Sequence, residues 1–178
     1  MNDNDQIRLF RPILIAGLAA RSITATVKAS FQPRQEGAET GPTLYFYKVA
    51  DHRYGSVRRS SVWDVDNQVM VYTEIEQYET TWQVTALSIQ DPSDTTKPTA
   101  SDLANAAAAI MQSQACIGAL VAQGVGVYRV TDVRNPYFVD DKGRHEASPS
   151  FDFVLTHEQR IISTAPVVES VECLIRRI

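Results

Sequence analysis

The chain has 178 residues, of which 44% are hydrophobic, 21% charged and 8% aromatic. That length suits one domain with an ordinary core, and the composition excludes wholesale disorder, collagen and coiled coil. Seventeen Lys and Arg against 21 Asp and Glu leave a formal net charge of −4, the wrong balance for a surface that grips nucleic-acid phosphates. A mildly negative surface would still let DNA pass, because repulsion prevents sticking. The best apolar run, Pro12 to Ala20, is about half a membrane span and is flanked by Arg11 and Arg21. The first residues, Met1-Asn-Asp-Asn-Asp5, lack the basic start of a secretory signal. A soluble cytosolic protein is expected, with no membrane contact. Cys116 and Cys173 fit no metal or redox spacing, and neither is expected in a disulfide.

The first element reads as a helix, with Ile7, Phe10, Leu14 and Leu18 on one face and Ile13, Ile15 and Gly17 beside it. Pro12 would break its ladder in mid-helix, so Pro12 is expected in the first turn or just after a short preceding turn. Residues 23–32 alternate, Ile23, Ala25, Val27, Ala29 and Phe31 against polar neighbours, which predicts a strand with one buried face. Pro33 to Pro42 is a polar loop, and residues 43–50 form an aromatic-rich strand. Val69 to Gln90 holds no Gly or Pro and is rich in β-formers. As one strand it would run roughly 70 Å, whereas a globule of this length has a radius of gyration near 16 Å. It must bend or leave the body. Trp82, Val84 and Ala86 favour a buried face, and Glu74, Glu76 and Glu79 crowd the other half. Residues 43–76 are therefore read as two strands of an arm tipped by the Arg-rich segment.

Asp91 to Pro98 is a turn-forming linker. Thr99, with Asp102 three residues on, caps a helix whose stripe is Leu103, Ala106, Ala107, Ile110 and Met111. A second helical piece, Gln114 to Gln123, ends at Gly124. Residues 125–133 are strand-like, Asn135-Pro136 breaks that strand, and Asp140 to Ser150 is a charged loop. Residues 151–163 alternate as a strong strand, and after Pro166 comes a last apolar strand, Val167 to Ile175. No repeat or low-complexity tract is visible. The fold class is α+β: a mostly antiparallel sheet packed by an N-terminal helix and a central helical segment, with an extended β-hairpin arm. Residues 1–178 are one domain.

Catalytic chemistry finds little support. His52 and His145 lie in charged loops, and His157 continues the strand face of Phe153 and Leu155. None has metal-ligand spacing, and no serine is framed as a nucleophile. Asp140 to Glu146 lacks the alternate acids of a calcium loop. Gly124-Val-Gly126 follows a helix instead of opening one, so it makes no phosphate cradle. Asp64 and Asp66 have no neighbour that would separate their acidities. No enzyme activity, cofactor or metal is expected. The basic-aromatic run Arg53, Tyr54, Arg58, Arg59 and Trp63 suits either nucleic acid or a protein interface. Asp51, Asp64 and Asp66 offset its charge and favour the protein contact.

An ordered string of phrases carries a resemblance. Phe31-Gln-Pro33, Gly41-Pro42, His52-Arg-Tyr-Gly55, Val62-Trp-Asp64 and Gln77-Tyr-Glu-Thr-Thr-Trp-Gln83 are followed by Gln90-Asp-Pro92 and Thr99-Ala-Ser-Asp102. Val130-Thr-Asp-Val-Arg-Asn-Pro-Tyr-Phe138 and Glu146-Ala-Ser-Pro-Ser-Phe-Asp-Phe153 complete the string. The sequence resembles the neck terminator or gateway proteins of tailed bacteriophages.

That resemblance implies a non-enzymatic virion subunit between head and contractile tail. It would form a ring, a hexamer by analogy with tail terminators, and would help terminate the tail. Its neighbours would be the collar or connector above and the tail tube below, with the sheath a further candidate. Double-stranded DNA would pass the lumen without specific binding, in particles assembled in the host cytoplasm. Six touching globules leave a hole of roughly 40 Å, wide enough for a duplex. Residues 51–70 are expected to reach a neighbouring subunit or ring. Arg53, Tyr54, Arg58, Arg59, Trp63, Asn135, Pro136, Tyr137 and Phe138 are the expected contact residues. The alternatives are another head-closure or baseplate role, or a small hydrolase or binding module using His145, Asp140 and Glu146.

Overall fold

A computed structural model describes residues 1–30, 41–88, 94, 96–139 and 145–166, with backbone alone at 137–139 and 145–147. Helix α1 (Asp3–Ala19) opens on a capping box in which Asn2 and Asp5 each accept the other's backbone N–H. Its buried stripe is Gln6, Phe10, Leu14 and Leu18, an unbroken i, i+4 series. The helix runs straight through Pro12, which corrects the expectation that Pro12 lies in its first turn. Pro12 sits on the exposed face with Arg8, so water can take up the Arg8 carbonyl that the proline leaves unpaired.

Five strands form one sheet in the order β1-β2-β3-β7-β4. They are β1 (Thr26–Ala29), β2 (Thr43–Asp64), β3 (Val69–Leu87), β4 (Val125–Val130) and β7 (Ser150–Pro166). A separate short pair is made by β5 (Tyr137–Val139) and β6 (His145–Ala147), within what the sequence suggested was a break and a charged loop. The sheet is antiparallel except that β1 runs parallel to β2, so it is mixed. β1 keeps four of the ten residues expected for it, with Val27 turned to the core. The expected loop 33–42 and last strand Val167 to Ile175 fall mostly or wholly outside the described residues.

Helices α2 (Ala100–Met111) and α3 (Gln114–Val121) cover one face of the sheet together with α1. The Thr99–Asp102 box forms as expected, and Gly124 stops the segment at φ +74°. Ala104 takes the buried place expected of Ala106. The core is aromatic at its centre: Phe10 meets Phe46, Trp82 and Phe153 edge-on at 5.1, 5.2 and 5.2 Å. Helix α1 reaches α2 closely at Gly17, where a Cβ would lie 2.6 Å from the Ile110 side chain. No single described helix is long and apolar enough to cross a membrane.

Strands β2, β3 and β7 are far longer than the body they cross. At about 3.4 Å per residue, the 19 residues of β3 span roughly 65 Å. Only the part from Thr80 to Ala86 alternates fully buried residues with half-exposed ones; β2 is exposed from Val49 through Trp63. The β3–β7 ladder runs without a register shift from Thr85↔Ser150 to Val69↔Pro166. The extension is thus three-stranded, where the sequence suggested two: the second half of β7 completes it.

Candidate subunit-contact surface

The extension begins where β2 slips register between Lys48 and Ala50, and slips again between Tyr54 and Arg58 around Gly55. Gly55 has φ +75°, a conformation that favours glycine, and such bulges sharpen the twist of a strand. The turn at the far end is built by Asp64. Its carboxylate accepts the Asp66 and Asn67 backbone N–H groups and the Asn67 side chain at 3.0, 3.1 and 2.8 Å. Those bonds, the Asn67 side chain first, hold the Asp64 carboxyl below its ordinary range. Asp64 is therefore a turn cap. The arginines lie midway along β2 and not at the tip, contrary to expectation, because Arg58 and Arg59 stay in the ladder opposite Ile75 and Glu74.

Register sorts the extension into two faces. On the face continuous with the core lie Arg53, Arg59, Ser61 and Trp63 of β2, beside Tyr78, Glu76, Glu74, Tyr72 and Met70 of β3. Arg53 pairs with Glu76 at 3.7 Å and lies 5.8 Å from the Tyr78 ring centre; Arg59 pairs with Glu74 at 2.8 Å. The opposite face carries Tyr54, Arg58 and Val62, with Ile75, Val71 and Val69, and Ile162 of β7. Near the tip both faces turn apolar and stay open. Val62 is 66% exposed, Trp63 40%, Ile161 56% and Ile162 62%, and Tyr54, close to the root, is open as well. Beyond β1 and β4, the outer edges of β2 and β7 pair with no described strand.

The acids of this region outweigh its arginines. Residues 51–79 and 158–166 carry seven Asp and Glu against four Arg. Such a surface repels a phosphate backbone, so its exposed aromatics suit protein contact.

The expected contact residues form two separate groups. Arg53, Tyr54, Arg58, Arg59 and Trp63 share the extension. Asn135 and Pro136 are exposed beside the start of β7, where Asn135 reaches Ser101 of α2 at 3.3 Å. Tyr137 and Phe138 follow on β5, with their side chains outside the described residues. Counted along β7 from Ser150, the extension group begins about seven residues away, at the level of Arg53, and ends about fifteen away, at Trp63, roughly 25 to 50 Å. Sequence reading missed Tyr72, Ile161 and Ile162. Their signal was available: Val69 to Tyr72 and Ile161-Ile162 abandon alternation for continuous apolar runs, as strands covered on both faces do.

The residues weighed for catalysis do not assemble. His52 is exposed on β2, His157 is 5% exposed among core residues, and His145, Asp140 and Glu146 have no described side chains. Among the described residues no group of His, Cys, Asp or Glu could hold a metal. Cys116 is buried against Met111, and burial pushes its thiol up; Cys173 lies outside the described residues.

Comparison with solved structures finds the sheath/tube terminator of an extracellular contractile injection system in its extended state, at 12% identity and a TM-score of 0.42. That match covers 97% of this chain but 64% of the other. No curated protein sequence matches. A family model described as the E217 gateway protein gp29 matches residues 6–167, nearly the whole chain. The chain therefore belongs to the gateway protein family of the phage head-to-tail junction, and is a structural protein of the virion neck and tail.

Proposed function

We propose that this chain is a ring subunit of the phage neck, six copies closing around the axis between the collar and the tail tube. The observation that carries this reading is the three-stranded extension, apolar on both faces near its tip and open at both edges. A sheet of that kind is an aggregation hazard in a free monomer and an asset in a ring, where each arm lies on the next copy. A head-to-tail ring also needs two different patches per subunit. The arm group and the Asn135–Phe138 group, roughly 25 to 50 Å apart, supply two. DNA crosses the lumen unbound, the tail tube and sheath meet the lower face, and assembly takes place in the host cytoplasm. Chemistry is not part of the role.

Native mass spectrometry of the full chain, alone and with tail-tube protein, tests this. Replacing residues 53–76 by a short turn should leave a folded body that no longer forms closed oligomers. A closed ring unchanged by that deletion would sink the proposal. Particles made without the protein should carry tails of abnormal length or full heads without tails.

A further inference from the structure

Where the arm leaves the body, four elements bring polar side chains together in the interior. The Trp82 indole Nε1 donates to Gln6 Oε1 at 2.9 Å. Gln6 Nε2 lies 2.9 Å from His157 Nε2 and 3.4 Å from Thr80 Oγ1. Thr80 Oγ1 donates to Asp51 Oδ1 at 2.9 Å and sits 3.2 Å from His157 Nε2. Gln6 and Thr80 are 1% and 0% exposed. The Tyr78 ring stacks on the imidazole, 5.7 Å between centres and 7° from parallel.

Donor and acceptor capacity orders this cluster. An indole nitrogen can only donate, so Trp82 fixes the Gln6 amide with its oxygen toward the indole. The amide nitrogen then faces the imidazole, and an amide nitrogen cannot accept. His157 Nε2 must therefore be the acceptor, and the ring proton sits on Nδ1. Nδ1 is buried without a hydrogen-bond partner. Protonating Nε2 would set its new N–H against the Gln6 amide N–H, with only the Thr80 oxygen at 3.2 Å left to accept it, while Nδ1 keeps the proton it already holds. Turning the Gln6 amide round would satisfy the imidazolium but confront the Trp82 N–H with a second donor.

We propose that Gln6 and His157 form a proton-sensitive latch that clamps the root of the arm to helix α1 while His157 is neutral, and releases it on protonation. This goes beyond the ring assignment and holds for a single chain. The charges around the latch come from every element it touches. The N-terminal amine lies just before α1, Asp3 and Asp5 on α1, Lys48, Asp51 and Arg53 on β2, Tyr78 on β3, and Glu158 and Arg160 on β7; β4 brings only Val125 and Gly126. Lys48 bonds both Asp3 and Asp51, Arg53 pairs with Glu76, and Arg160 lies 4.0 Å from Glu158.

Burial first, and then the N-terminal amine, lowers the His157 pKa from its ordinary 6.5. A histidine held neutral contributes stability in full above that value, and the contribution fades as pH falls below it toward the lowered one. Long-range proton–nitrogen NMR of the full chain reads the latch directly. At pH 7.5 His157 should show a protonated Nδ1 and a bare Nε2, and should titrate below the ordinary imidazole range. Amide exchange at Tyr78–Trp82, corrected for intrinsic rates, should quicken about tenfold once His157 is charged. Gln6→Glu places an acceptor beside Nε2, so it should move the ring proton to Nε2 and raise the titration midpoint. A bare Nδ1, an ordinary midpoint in the wild type, or a Gln6→Glu chain with unmoved titration would each overturn the proposal. Should Gln6→Glu not fold, the wild-type tautomer and midpoint decide alone.

Discussion

One sheet has two halves with opposite fates. In the body, β2, β3 and β7 present Phe46, Trp82, Val84, Phe151, Phe153 and Leu155 to three helices, and all six are buried. Along the same strands, in unbroken β3–β7 register, Trp63, Tyr72, Ile161 and Ile162 face solvent. Backbone pairing is as complete in the second half as in the first, so hydrogen bonds do not distinguish them. The cover does. Strands extend as far as their sequence favours β structure, and burial reaches only as far as the helices. The surplus is surface that no described part of the chain covers.

The strongest way to break that contrast is to mutate both halves and compare. Phe10→Ala removes the ring that three aromatic residues share, and should cost the isolated chain about 3–5 kcal/mol by urea unfolding. Ile161→Ser with Ile162→Ser should shift the same midpoint by under about 0.5 kcal/mol, because both residues are already in water. Oligomers should respond in reverse, with the arm variant monomeric by native mass spectrometry and the core variant assembling wherever it still folds. Equal losses of stability in the two variants would mean that the arm is covered within its own chain.

Next in size is the helix–helix contact that anchors the covered half. Gly17→Val places new carbons within 3 Å of Ile110, and should cost about 1–3 kcal/mol in thermal or urea unfolding. Ile110→Ala in the same chain should restore part of that loss, since the space it opens is where the valine must go. A double mutant no better than the sum of the singles would show that the helices respond by separating.

The same two halves explain what could be read in advance. Helix α1, the Thr99–Asp102 cap and the alternation of Trp82, Val84 and Ala86 were legible because local periodicity and capping set them. Pro12 was misjudged because its cost depends on whether water reaches the Arg8 carbonyl, a tertiary fact. The turn at Asp64 to Gln68 was written in its residues but overshadowed by the arginines before it; charge says where solvent is, whereas a turn needs an Asx cap and a residue tolerant of positive φ, here Gln68 at 51°. The third strand of the arm was hidden for another reason. Pairing of β7 with β3 joins residues 65 to 97 positions apart, and no local pattern encodes that partner. The arm-root cluster was half visible: His157 followed the Phe153 and Leu155 face, but nothing in the sequence placed Gln6 against it.

A smaller effect sharpens the reading of the body. Thr99→Ala removes the hydroxyl that accepts from the Asp102 N–H and should cost about 1 kcal/mol near neutral pH. The Asp102 carboxyl is held below its usual range, by the Thr99 backbone N–H first and its hydroxyl second. Its contribution is present above the ordinary carboxylate pKa and is lost as pH falls through the lowered value. The Thr99→Ala penalty should therefore shrink in acid unfolding curves, and a penalty independent of pH would detach Asp102 from the cap.

The smallest effect in the isolated chain is the most informative about the arm. Arg59 and Glu74 form a well-aligned pair, but their side chains are 74% and 40% exposed. Exposed pairs of this kind contribute about 0–1 kcal/mol and weaken with salt, so Arg59→Gln should barely move monomer unfolding. Covering the arm with a neighbouring copy changes the physics. Water leaves, screening falls, and a Glu74 without its arginine becomes a buried charge that costs several kcal/mol. Arg59→Gln should then weaken the oligomer far more than the monomer, while Arg59→Gln with Glu74→Gln recovers most of the loss. The ratio of the two effects, read from monomer unfolding and ring dissociation in the same buffer, measures how completely a partner covers this stretch. A ratio near one would leave the arm wet in the assembled ring, with subunit contacts carried elsewhere.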